Sequence, residues 1–130
     1  GREYYCLFWE GVSGADYDLS EGFVVAGEDT ADFLERTLSR LGLTDREANE
    51  FILYWLPRME GNPYNLISFQ TRAYTDAAVL RVEPQPDTVI RVFMAWKPLP
   101  APVEAAPQHL PQGPERRGFT LVEWGGAQLA

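Results

Sequence analysis

Basic and nucleophilic side chains are scarce in this chain. It has one cysteine (Cys6), one histidine (His109) and one lysine (Lys97) beside ten arginines. One cysteine excludes an internal disulfide and any cysteine-rich metal centre. One histidine in a Pro-rich stretch leaves a Ser-His-Asp or Cys-His system without a rigid base. No apolar run reaches the roughly 18 residues of a membrane span, and no signal peptide is legible. The net charge is −8, and the closest thing to a basic patch is Arg116-Arg117. Such a chain repels phosphate backbones, so nucleic acid is not an expected partner. Nothing in the residues calls for a metal or another cofactor. A start at Gly1 rather than Met, entering a strand almost at once, predicts a processed or excised piece of a longer protein.

What is present describes a globular unit. The 130 residues are 45% apolar and include seventeen aromatics, enough for one domain over 1–130 with a real core. The termini carry related segments, Tyr4-Tyr5-Cys6-Leu7-Phe8-Trp9-Glu10-Gly11 and Gly118-Phe119-Thr120-Leu121-Val122-Glu123-Trp124-Gly125-Gly126. Both read as buried strands stopped by glycine, over 3–10 and 118–124, with an acid beside a Trp.

Between them the pattern predicts a strand over 22–27, then helices over about 30–41 and 45–56. Asp29 or Thr30 caps the first, and Gly42 stops it. Thr44-Asp45-Arg46-Glu47 is a capping box, Leu43 a staple, and Pro57 ends or kinks the second helix. The short link makes an antiparallel helical hairpin. Strands are expected over 64–70, 77–83 and 88–97, the last two forming an antiparallel hairpin through Pro84-Gln85-Pro86-Asp87. On 88–97, Ile90, Val92, Met94 and Trp96 share one face; Val89, Arg91, Phe93 and Ala95 share the other. Apolar residues on both faces indicate a central strand, with Arg91 near an end or paired. Residues 98–117 hold six prolines and read as an extended surface connection. The expected fold is α+β: a mostly antiparallel sheet of five to six strands, one inserted helical hairpin, and terminal strands as neighbours.

Leu7-Phe8-Trp9-Glu10-Gly11, Trp55-Leu56-Pro57, Asn62-Pro63-Tyr64-Asn65 and Gly118 to Gly126 together resemble an uncharacterised bacterial domain. It is found C-terminally in exported or envelope-associated proteins. The resemblance covers nearly the whole chain and carries over no activity or catalytic residue. It implies a secreted or envelope setting and an upstream partner in the same polypeptide.

Glu10 and Glu123 are the catalytic candidates, as a carboxylate pair of glycosidase type flanked by Trp9 and Trp124 as binding residues. The structural alternative has each glutamate capping loop amides or pairing with Arg91 or Arg81. Asp16-Tyr17-Asp18 offers oxygen ligands for calcium without an EF-hand pattern. Cys6, among aromatics, reads as an inert buried thiol. Lys97 with Asn49, Asn62 or Asn65 has the composition of an isopeptide cross-link, against simple snorkelling to solvent. Exposed aromatics would suit a carbohydrate or small-ligand platform. The leading expectation is a non-catalytic structural or interaction module that pairs through edge strands with a protein partner, an upstream region or another copy. A hydrolase-like or sugar-active enzyme is the alternative, and a ligand-binding module the third.

Overall fold

The computed structural model describes residues 17–77 and 81–129. Chain order is β1 (Phe23–Ala26), a 3-10 turn (Gly27–Asp29), α1 (Thr30–Arg40), α2 (Asp45–Met59), β2 (Tyr64–Phe69), α3 (Thr71–Ala77), β3 (Thr88–Leu99) and β4 (Thr120–Gln128). The four strands form one sheet in the order β1-β2-β3-β4. The first two pairings are antiparallel; β3 and β4 run parallel, with Arg91 opposite Glu123 and Val92 opposite Trp124.

The helical hairpin forms for the reasons its sequence states. Glu47 N–H donates to Thr44 Oγ1 (3.3 Å) and Thr44 N–H donates to Glu47 Oε1 (2.9 Å), closing the capping box. α1 ends in a Schellman turn: Leu43 N–H donates to Leu38 O, Gly42 N–H donates to Ser39 O, and Gly42 sits at φ +105°. The start of α1 is less conventional. Asp29 holds the N-cap position without a side-chain bond, and the Thr30 hydroxyl donates back to Ala26 O instead. α2 runs through Pro57 to Met59 rather than stopping. Met59 is fully buried, so packing of the last turn carries the helix past the missing amide, and Arg58 Nη1 donates to Tyr54 O (2.8 Å) one residue beyond the carbonyl that Pro57 leaves open.

Alternation along β3 divides the sheet into two faces. Ile90, Val92, Met94 and Trp96 pack with Leu34, Leu38, Phe51 and Trp55 of the hairpin. On the opposite face Phe93 stacks on Tyr74 of α3, ring centroids 4.2 Å apart. Gly126 of β4 lies under Trp55; a Cβ there would sit 2.7 Å from the indole and from Met94 O. The motif Asn62-Pro63-Tyr64-Asn65 anchors the hairpin. Asn65 is fully buried, donates to Thr30 Oγ1 and Met59 O, and accepts from Asn62 Nδ2.

Several expectations are corrected. The described sheet has four strands, not five or six, and it is mixed. The strand over 77–83 and its hairpin with β3 are absent among the described residues: α3 occupies 71–77, and 81–87 carries no strand. Local pattern loses there to tertiary contact. Phe93 N–H donates to Thr71 Oγ1, and Gln70 N–H donates to Phe93 O, so the chain turns into α3 directly off β2. β3 continues through Pro98 to Leu99, so the connection starts two residues later than 98. Pro98 is tolerated because β4 has ended by then; its Gln128 pairs with Trp96. The strand expected over 3–10, and its neighbourhood with β4, lie outside the described residues.

The Pro-rich connection is a strap pinned along its length. Ala106 exchanges backbone bonds with Ser20 and Gly22 beside β1. The Gln108 amide imitates a strand, donating to Phe69 O and accepting from Phe69 N–H, both at 2.8 Å. Gly113 N–H donates to Arg40 O (2.7 Å). Arg116 pairs with Glu47 and donates to Gly42 O, and Thr88 Oγ1 donates to Arg117 O (2.8 Å) while accepting from Arg117 N–H. A parallel pair requires such a crossover, which is usually a helix; here it is extended chain.

Candidate functional site

Three features of the sheet bear on function: a buried ion pair, a cavity under the strap and the outer edge of β4.

The ion pair joins the neighbouring strands β3 and β4. Arg91 Nε donates to Glu123 Oε1 at 2.7 Å, with side-chain exposures of 8% and 12%. The Arg91 guanidinium also lies 5.1 Å from the centre of the Tyr74 ring. Two polar atoms in the pair, Arg91 Nη2 and Glu123 Oε2, are buried without a hydrogen-bond partner. Burial pushes the Tyr74 phenol above its usual value, and the Glu123 carboxylate adds to that while Arg91 opposes it. Tyr17 also stacks on Phe93, ring centroids 5.1 Å apart.

The cavity, about 530 Å³, opens between α3 and the strap. Leu41, Phe69 and Leu110 form apolar wall; Arg72, Arg91 and His109 supply the basic groups. The strap builds this site, because Gln108 and the bond from Arg40 Nε to Leu110 O (3.0 Å) hold its far wall in place.

On the edge, Leu129 N–H donates to Trp96 O and Phe119 O accepts from Thr88 N–H. The register between them is continuous, so the odd-numbered amides of β4 face β3, and those of Val122, Trp124, Gly126 and Gln128 face outward. Among the described residues no strand pairs with that side.

Of the residues singled out in the sequence, Glu123 is held by Arg91, one of its two anticipated partners. Trp124 is half-buried and packs edge-on to Phe51 at 5.3 Å, within the helix–sheet layer. Glu10, Trp9, Cys6 and Asp16 lie outside the described residues, so the spacing of the two glutamates does too. The Asp18 carboxylate accepts from Ser20 N–H (2.8 Å), which holds it below its usual range. Among the described residues no three His, Cys, Asp or Glu side chains are grouped to hold a metal. Lys97 lies opposite Leu66, and the amides of Asn62 and Asn65 are engaged with each other and with Arg58, Thr30 and Met59. No run or spacing of residues signals the cavity. Its basic groups come from α3, β3 and the strap, and the Pro-rich stretch that makes His109 a poor base is the one that places it there.

No helix among the described residues is long and apolar enough to cross a membrane. No family model, curated protein or solved structure matches the chain.

Proposed function

We propose that this chain is a non-catalytic interaction module of a bacterial exported or envelope protein, associating with a second copy of itself by strand addition along the outer edge of β4. The observation that carries the reading is the inequality of the two sheet edges among the described residues. Beside β1, the strap is bonded to Ser20 and Gly22 through Ala106. Beside β4, no described residue does the same, and the strand has neither lysine nor proline to deter pairing. Its one charge, Glu123, is already neutralised by Arg91. An aromatic ring flanks the edge: Tyr54, 37% exposed, has its ring 6.1 Å from that of Trp124. An antiparallel two-fold pairing of β4 with itself needs no second sequence. The exported or envelope setting rests on the resemblance of the sequence segments described above. The shut ion pair is what favours this reading over an enzyme built on Glu123.

Sedimentation equilibrium tests it. The expected result is a reversible dimer that tightens as salt rises, because each copy carries −8 and screening relieves the repulsion. Gln128→Pro removes an outward amide without removing a bond to β3, and weakens the dimer about tenfold or more. A chain that stays monomeric up to about 0.5 mM at both low and high salt would overturn the self-association.

A further inference from the structure

The cavity under the strap plays no part in edge pairing, and its chemistry is specific. Its volume of about 530 Å³ is that of a small-molecule site. In a chain of net charge −8, its lining includes Arg72, Arg91 and the single histidine, and no carboxylate. A second observation is independent of the hollow itself. Arg91 is 8% exposed, its Nε is bound to Glu123, the Tyr74 ring lies beside it, and Nη2 is buried without a hydrogen-bond partner. A guanidinium presents five N–H donors, and a buried one left unmet is a standing demand for an acceptor. The other hollow, lined by Ser20, Val24, Val103 to Ala106 and including the acid Glu104, offers no such group.

We infer that this cavity binds a small organic carboxylate with an apolar body. The carboxylate meets Arg91 and Arg72, and the body lies against Leu41, Phe69 and Leu110. A monoanion suits the site better than a phosphate. Glu123 does not line the cavity, yet it sits on the same guanidinium with its own unmet oxygen, and a second negative charge placed there would face it. The apolar wall rewards a ring or short chain over a bare ion.

The test is an NMR titration of the whole chain with benzoate, benzamide and acetate. Benzoate is expected to give saturable shifts at Arg72, His109 and Leu110 with a Kd of about 1 mM or tighter. Benzamide, which lacks the charge, and acetate, which lacks the ring, should each bind about tenfold more weakly. Arg91→Gln combined with Glu123→Gln removes the ion pair without stranding either charge, and should weaken benzoate at least tenfold while the rest of the spectrum is kept. If that variant does not fold, Arg72→Gln, at an exposed position, is the readout and should weaken benzoate about threefold. Gln128→Pro should leave benzoate binding unchanged. The proposal is overturned by any of three outcomes: no saturation by about 50 mM, equal affinity for benzoate and benzamide, or full affinity in Arg72→Gln.

Discussion

Arg91 and Glu123 meet because parallel pairing sets them directly opposite each other on one face of the sheet. Both are largely withdrawn from water, so little of either charge is shared with solvent. Removing one partner strands the other, which costs far more than the intact pair contributes. Glu123→Gln is therefore expected to lower stability by about 3 kcal/mol in urea denaturation. Arg91→Met together with Glu123→Leu should come within about 1 kcal/mol of the parent, because the burial penalty goes with the charges. A Glu123→Gln variant of unchanged midpoint would mean that the pair is solvated in solution.

The helical hairpin is the element whose stability is written most locally. Thr44→Ala removes the N-cap and should cost about 1 kcal/mol. Glu47 ties the same cap to the strap. Burial pushes its carboxyl up, but the bonds from Arg116 and Thr44 outweigh that, so the group is held below its usual range. A carboxyl lowered in the folded state contributes stability above its unfolded value of about 4.3, and loses it as pH falls through the lower folded value. Stability measured from pH 6 to 3 should therefore fall more steeply in the parent than in Glu47→Gln. This element was also the most legible in the sequence. Capping box, Gly42 and apolar spacing all act within a few residues, and all three hold. α3 was not legible: seven residues beginning with Thr71 are too few for a periodic signal, and the contacts that set them come from β3. The alternation of β3 showed its two faces and the need to pair Arg91. No local feature of Thr120–Gln128 reveals that it runs parallel.

At the scale of the whole molecule, the strap integrates the fold: it touches β1, β2, both ends of the α1–α2 turn and the start of β3 before β4 begins. Gln108 is its midpoint anchor. Gln108→Ala would leave the buried amide and carbonyl of Phe69 without partners, at a cost of about 2 kcal/mol. Hydrogen exchange should show lost protection at Phe69 and along 104–113, with α1 and α2 little changed. Equal loss throughout the chain would mean that the strap and hairpin open as one unit. The cavity was invisible in the sequence for the same reason that the strap matters. Its walls are distant in the chain and become neighbours only when the extended connection is laid down.

The parallel pairing of β3 with β4 also orders events in time. β1 and β2 close over a longer stretch (Phe23 meets Ile67) than β3 and β4 do (Thr88 meets Thr120), so what sets β4 apart is not loop length but that the strap must be laid down before it. An extended connection gives no local structure to nucleate on, so laying it down is slow relative to forming the helical hairpin. β4 should therefore dock last, both in refolding and as the chain leaves the ribosome. Until it does, the side of β3 that meets β4 stands unpaired, and the newborn chain passes through an interval of vulnerability to aggregation that ends only when Thr120–Gln128 has docked.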